Sequence, residues 1–127
     1  MKNNLLQFAN QQYLNLETFR QNGQGVKTPV WFVQEGEILY TRTGSTSGKV
    51  KRIRRQPRVN VMPCGQMGEP LGEWIPAQAQ ESTDAVIAQH VRDLLVAKYG
   101  DMVAMFEAQT QANGLEYTVL VIDPGDE

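Results

Sequence analysis

The sequence predicts a mainly β (α+β) fold, a six-stranded antiparallel barrel with helical excursions. Short runs of β-branched and aromatic residues recur between turns that contain glycine or proline. Helical periodicity is confined to one short basic segment and to a longer stretch before the last run. Because short turns join most of the runs, antiparallel pairing is favoured over an alternating parallel sheet.

Three strands are expected early in the chain, at residues 13–19, 26–33 and 38–43. The glycine-rich turn between the first two indicates a hairpin. Pro29 cannot donate a hydrogen bond to a strand ladder, so we expect the second strand to lie at a sheet edge or to carry a bulge.

The other three strands are expected at residues 58–62, 73–80 and 117–122. Residues 48–56 have a spacing that is nearer to helical, with a narrow apolar stripe and charges elsewhere. We therefore expect a short basic helix there, ended by Pro57.

A long helix is expected at residues 84–99, where Val91 and Leu95 belong to an apolar stripe and Asp84 is one of the candidate caps. A shorter helix, with Asp101 as its candidate cap, is expected between Gly100 and the last strand. Together these two helices form the predicted helical excursion.

Length and composition suit one domain that spans residues 1–127, because 127 residues can bury one core but not two. Cys64 is the only cysteine, so no disulfide can form within the chain. No apolar run has the length of an export signal or a membrane span. We therefore expect a cytoplasmic protein that does not associate with membranes.

Charge is distributed unevenly along a chain whose net charge is only -2. Such local asymmetry points to an anionic partner at one site, whereas nucleic-acid binding would more often make the whole domain basic. Seven of the 12 basic residues fall within a stretch that contains no acidic residue, namely Arg42, Lys49, Lys51, Arg52, Arg54, Arg55 and Arg58.

The start of the short basic helix carries the functional prediction. Lys49, Lys51 and Arg52 fall in or near its first turn, where a cation is disfavoured by roughly 0.3–1 kcal/mol because the unpaired N–H groups are already positive. A bound phosphate would reverse this effect, since backbone N–H groups, nearby hydroxyls and Lys49 could all point at it. Two other interpretations remain open, a solvated charged face and a nucleic-acid patch with aromatic residues for stacking.

Several motifs together resemble the pyridoxamine 5'-phosphate oxidase-like FMN-binding split-barrel family. Within that family the chain is most similar to the subgroup thought to use the deazaflavin coenzyme F420. The motifs are Thr28-Pro-Val-Trp-Phe32, Leu39-Tyr-Thr-Arg-Thr43, Ser47-Gly-Lys-Val-Lys-Arg-Ile-Arg54 and Ala97-Lys-Tyr-Gly100.

The resemblance implies a six-stranded split barrel, a homodimer, and FMN or coenzyme F420 bound at the subunit interface. It implies an oxidoreductase that transfers a hydride between the cofactor and an unidentified small substrate; the alternative is a non-catalytic flavin- or haem-binding module. The implied cofactor-binding residues are Thr28, Pro29, Val30 and Trp31 along the ring system, Thr43 on its strand, and Ser47, Gly48, Lys49, Lys51 and Arg54 around the phosphate.

No residue is assigned to catalysis or to a metal from the sequence. His90 is the only histidine and has no visible partners for a triad or a metal site. Cys64 would need a lowered pKa to be reactive. A bound cofactor can carry the difficult chemistry itself, so the lack of a catalytic motif agrees with a cofactor-dependent redox protein.

Overall fold

The computed structural model describes residues 3–125, which form seven strands, three α-helices and one 3-10 helix. The strands are β1 (Tyr13–Phe19), β2 (Gly25–Val30), β3 (Val33–Glu35), β4 (Ile38–Gly44), β5 (Arg58–Cys64), β6 (Ile75–Ser82) and β7 (Tyr117–Asp123). The helices are α1 (Gly48–Arg55), α2 (Ala85–Tyr99) and α3 (Met102–Ala112), and the 3-10 helix is Asn3–Phe8.

All strands belong to one antiparallel sheet, in the order β2-β1-β5-β6-β7-β4-β3. The two edge strands, β2 and β3, follow each other in the chain and are separated only by Trp31 and Phe32. Such a short link can join the two edges only if the sheet curls until they are neighbours. The result is the predicted mainly β barrel, split at this link.

The strand expected at residues 26–33 is in fact two strands, which is why the sheet has seven strands and not six. β2 pairs with β1, whereas β3 pairs with β4 on the other side of the split. The expected edge position of Pro29 is confirmed, because β2 has β1 as its single partner in the sheet order. β6 runs from Ile75 to Ser82, slightly later than residues 73–80.

Side chains satisfy the backbone of the Trp31–Phe32 link, which lies outside the strand ladders. The N–H of Phe32 donates to the hydroxyl of Tyr99 at 3.1 Å, and its carbonyl accepts from Nζ of Lys98 at 2.8 Å. The carbonyl of Trp31 accepts from Oγ1 of Thr41 at 2.6 Å. Buried backbone groups are costly without a partner, so these side chains stabilise the closed barrel.

The barrel interior is apolar, and α1 covers part of it. The predicted stripe of α1 is confirmed, since Val50 and Ile53 are buried against this core. Phe32 packs edge-on against Phe8 of the 3-10 helix, with ring centroids 5.7 Å apart. The buried barrel residues include Leu14, Leu16, Leu39, Val59, Val61, Leu120 and Ile122.

A second apolar cluster lies under α2, where Val91 and Leu95 are buried as predicted. The cap of α2 is also confirmed: the carboxylate of Asp84 accepts from the N–H groups of Val86 and Ile87 at 2.8 and 3.3 Å. The cap predicted at Asp101 is wrong, because its φ of -64° and ψ of -17° are helical and its side chain makes no capping bond. Within residues 3–125, no helix is long and apolar enough to cross a membrane.

Candidate functional site

The start of α1 presents a buried hydroxyl that has no hydrogen-bond partner within residues 3–125. Ser47 occupies the N-cap position with extended backbone angles, yet its side chain makes no capping bond and its Oγ is buried. Leaving such a group unsatisfied costs about 1–3 kcal/mol. The first N–H groups of a helix also have no intrahelical acceptor. The helix start therefore offers several donors to an anion.

Cations are crowded around the same turn. Burial, and then the charge of Arg52, lower the pKa of Lys49. A Cβ at Gly48 would lie 2.8 Å from Nη1 of Arg52, so the glycine leaves room for that guanidinium over the first turn. Nε of Arg52 is fixed by a 2.7 Å hydrogen bond to Oγ1 of Thr18. An anion bound here would relieve the repulsion between Lys49 and Arg52.

The structure changes the charge arrangement expected from the sequence in two respects. Arg52 and Arg54 belong to the last turn of α1 by backbone position, but the guanidinium of Arg52 reaches back to Gly48, so its charge still lies near the helix start. The guanidinium of Arg54 binds the carboxylate of Glu81 through two bonds of 2.7 and 3.0 Å. Lys51 is exposed. The candidate phosphate-binding groups with the strongest geometric support are therefore Ser47, the first N–H groups of α1 and Lys49.

A cavity of about 320 Å³ lies beside the Trp31–Phe32 link. It contains three of the four residues expected along a ring system, Pro29, Val30 and Trp31, whereas Thr28 is outside its lining. Thr43 is buried in β4 opposite Thr118 and is likewise outside it. The lining residues that the sequence did not indicate are Tyr13, Arg42, Leu95, Val103, Phe106 and Tyr117.

Aromatic side chains fix one wall of this cavity. The indole of Trp31 stacks on the ring of Tyr99, with centroids 4.1 Å apart and an interplanar angle of 5°. Phe106 of α3 meets the same indole edge-on at 5.0 Å and 88°. Flat apolar walls of this kind favour a planar ligand.

Arg42 and Glu107 form an ion pair at the cavity, with Nη1 and Oε2 2.8 Å apart and side-chain exposures of 14% and 19%. Glu107 also accepts two hydrogen bonds from Arg92, at 2.9 and 3.0 Å. These bonds, first from Arg92 and then from Arg42, lower the pKa of Glu107 against the opposing effect of burial. The guanidinium of Arg42 lies 4.2 Å from the ring centroid of Tyr117.

One strand connects the two parts of the site. β4 carries Arg42 at the cavity and ends at Gly44, three residues before Ser47.

His90 and Cys64 lie outside the cavity lining: Nε2 of His90 pairs with Glu35 at 2.8 Å, and Cys64 is buried. Burial, and then the charge of Glu69, raise the pKa of the Cys64 thiol. Across residues 3–125, no three metal-ligating side chains of the His, Cys, Asp and Glu types lie together.

A barrel that is closed through one short link, with a basic helix start following β4, defines the split β-barrel class. The chain belongs to the pyridoxamine 5'-phosphate oxidase family, whose domain it matches over residues 1–126. The resemblance seen in the sequence motifs is thereby confirmed at the level of the family.

Solved structures share the fold at low sequence identity. HutZ, the haem storage protein from Vibrio cholerae, is 15% identical with a TM-score of 0.73, over 97% of this chain and 88% of HutZ. An F420-H2 dependent reductase is 14% identical with a TM-score of 0.64, over 88% of this chain and 94% of the reductase. A FAD-binding protein from Mesorhizobium loti is 20% identical with a TM-score of 0.61, over 91% of this chain and 79% of that protein. No curated protein sequence matches the chain significantly.

Proposed function

We propose that this protein binds FMN or coenzyme F420 through the cofactor phosphate and transfers a hydride between the cofactor and a small substrate. The observation that carries the proposal is the buried hydroxyl of Ser47 at the start of α1, which has no hydrogen-bond partner among residues 3–125 and is next to the half-buried Lys49. A phosphate would satisfy this hydroxyl, the free N–H groups and the ammonium group together. Membership of the pyridoxamine 5'-phosphate oxidase family supports this assignment.

The phosphate-binding residues have different roles in this proposal. Ser47 donates its hydroxyl hydrogen, Gly48 gives close backbone approach, and Lys49 supplies a positive charge beside the first turn. Lys51 acts from the exposed side of the helix. Arg54 acts only at longer range, because Glu81 already accepts the bonds of its guanidinium.

The ring system would lie against Pro29, Val30 and Trp31, with Thr28 and Thr43 contributing from β2 and β4. The bound ring supplies the redox chemistry, since it is the ring that gives or accepts the hydride. The residues of the chain bind and orient the ring and exclude water. The stacked pair of Trp31 and Tyr99 provides a fixed surface for this purpose.

The relatives with a similar fold favour cofactor binding but differ in what they bind. Their names include an F420-H2 dependent reductase, a FAD-binding protein and a haem storage protein. The likeness to the haem storage protein keeps a non-catalytic binding module as the second candidate. His90, the only histidine, pairs with Glu35 outside the cavity lining, so the ring-cofactor interpretation fits the cavity better.

We further propose a homodimer, as the family resemblance implies, and a cytoplasmic location with neither nucleic acid nor a membrane as partner. Size-exclusion chromatography with light scattering tests the dimer directly. A monomer at micromolar concentration, with and without cofactor, would contradict it.

Titration of the purified protein with FMN and with coenzyme F420, followed by quenching of cofactor fluorescence, tests the function. Lys49→Ala should weaken binding about tenfold or more, the loss expected for one charge-assisted bond to phosphate. Lys27→Ala is the matched control, because Lys27 is exposed and lies over the ring of Trp74 instead.

The possible results separate the candidates. Saturable binding with transfer of electrons to an added acceptor supports the oxidoreductase, whereas binding without turnover supports the storage module. If Lys49→Ala binds the cofactor like the wild type, the phosphate site is misassigned. If neither cofactor binds, the proposed function is wrong.

A further inference from the structure

The aromatic cavity contains a charged group that the binding of a ring system does not explain. Among the described residues that line it, Arg42 is the only charged one. We propose that, beside a cofactor ring at Pro29 and Val30, this cavity accepts a flat, apolar substrate that carries a carboxylate, and that the carboxylate binds Arg42 in place of Glu107. The inference rests on the proposed function, because it names the substrate class of the same site.

The size and walls of the cavity indicate the body of the ligand. Its volume of about 320 Å³ is at the lower end of the range of about 300–1,000 Å³ for small-molecule pockets. Trp31 stacks on Tyr99, and the ring of Phe106 is nearly perpendicular to the same indole. A small aromatic or conjugated molecule fits such walls better than a branched or strongly polar one.

The state of Arg42 indicates the charged group of the ligand. Its side chain is only 14% exposed, and the ring of Tyr117 lies 4.2 Å from its guanidinium carbon. A guanidinium has five N–H donors in a planar fork that matches a carboxylate, and a single bond from it to Glu107 is present here. Arg42 therefore has donor capacity left for a second carboxylate.

Glu107 can give up Arg42 without losing its own charge partner. Two hydrogen bonds from Arg92 hold the same carboxylate at 2.9 and 3.0 Å. Arg42 and Arg92 share this one carboxylate, so an additional carboxylate would give Arg42 a partner of its own.

Glu107 and its neighbour Phe106 both lie on α3, which buries only Val103 among the described residues. Displacing this helix slightly would expose little apolar surface, so its contact with Arg42 can be exchanged at low cost. Glu107 then acts as an internal competitor for the anion site. If instead the ion pair only anchors α3, its loss should disturb the cavity wall and weaken the binding of every ligand, charged or neutral.

These two roles for Glu107 predict opposite results for Glu107→Gln. The probes are cinnamate and its neutral analogue cinnamamide, added to the full chain without cofactor. Binding is followed by NMR through the indole N–H signals of the two tryptophans, with Trp74 as the internal control because it lies outside the cavity lining.

We expect cinnamate to shift the Trp31 signal with at least about tenfold higher affinity than cinnamamide, as for a charge-assisted pair. Glu107→Gln should tighten cinnamate severalfold and leave cinnamamide unchanged. Arg42→Met should remove the difference in affinity between the two probes. Arg42→Lys should keep part of that difference, because lysine retains the positive charge but lacks the planar set of N–H donors of a guanidinium.

Equal affinity for the two probes, or weaker cinnamate binding in Glu107→Gln, would overturn the inference, since Glu107 would then be only an anchor. Circular dichroism spectra of each variant exclude unfolding as the cause. The failure of this inference is distinguishable from that of the proposed function. Cinnamate preference without binding of FMN or F420 contradicts the cofactor proposal alone, whereas cofactor binding without that preference contradicts the carboxylate site alone.

Discussion

The hydroxyl of Tyr99 accepts the backbone N–H of Phe32 at 3.1 Å, joining residues 67 positions apart. The same hydroxyl donates to the carbonyl of Gln12 at 2.6 Å. One side chain at the end of α2 thus holds the link that closes the barrel to the segment before β1. Burial raises the pKa of Tyr99 to about 12, so the hydroxyl keeps its proton at neutral pH.

Tyr99→Phe should lower the free energy of unfolding by about 1–3 kcal/mol, because it leaves the buried N–H of Phe32 without an acceptor. Urea denaturation measures this change. Tyr40→Phe is the control, since Tyr40 lies in the same apolar cluster without contacting the link through a hydrogen bond, and a change within about 0.5 kcal/mol is expected. Equal losses in both variants would contradict the role given to Tyr99.

Lys98 should make stability depend on pH. Burial lowers its pKa from 10.5 to about 8. Between these values the unfolded chain binds a proton that the folded protein does not, so the contribution of Lys98 to stability rises as the pH increases from 8 towards 10.5. The raised pKa of Tyr99 acts in the opposite direction, but only between 10.0 and about 12.

Lys98→Met should therefore flatten the rise in the free energy of unfolding between about pH 7.5 and pH 9.5. Urea denaturation at a series of pH values gives this slope. If the free energy of unfolding of Lys98→Met rises with pH as steeply as that of the wild type, the group that takes up the proton on unfolding is not Lys98.

Ser47→Ala should stabilise the protein without cofactor by up to about 1 kcal/mol, because it removes a buried hydroxyl that has no partner in the described part of the chain. The same change should weaken FMN or F420 binding, since that hydroxyl is a proposed phosphate donor. Denaturation with and without cofactor measures both effects. Ser45→Ala, in the same loop, should change neither, and a destabilised Ser47→Ala protein would mean that the hydroxyl already has a structural partner.

Arg54→Ala should reduce cofactor affinity less than about threefold, because Glu81 holds the guanidinium and leaves only a screened, long-range charge effect. The comparison is with the tenfold or larger loss expected for Lys49→Ala. Fluorescence titration of both variants gives the ratio. A larger loss in Arg54→Ala would show that Arg54 exchanges Glu81 for the phosphate.

Asp84→Ala should cost about 1 kcal/mol of stability through the loss of the α2 cap. Asp101→Ala provides a matched control at the start of α3, where the carboxylate makes no capping bond, and a change within about 0.5 kcal/mol is expected. Thermal or urea denaturation of the two variants separates a cap from a surface carboxylate.

Local features of the fold could be predicted from the sequence, whereas pairings between distant segments could not. The cap at Asp84 and the stripe through Val91 and Leu95 depend on spacing within one helix, and both are confirmed. The division of residues 26–33 depends on which distant strand each half pairs with, β1 or β4. The sequence of residues 26–33 does not indicate with which of these strands each half will pair.

In the candidate site, too, residues that are contiguous in the sequence could be predicted, whereas a pairing of distant residues could not. The loop and helix from Ser47 to Lys49 are contiguous, so their residue types could indicate an anion site. The pairing of Arg42 with Glu107 joins positions 65 residues apart, and nothing near either residue indicates the other. The one available signal was a lone arginine at an outward position of an otherwise uncharged strand, β4.

Trp31 and Phe32 are consecutive, yet Phe32 is buried in the barrel core and Trp31 faces the cavity. A molecule that packs on Trp31 therefore also immobilises the junction between the two margins of the sheet. Occupancy of the cavity should consequently raise the melting temperature of the entire barrel, and not merely order one surface loop.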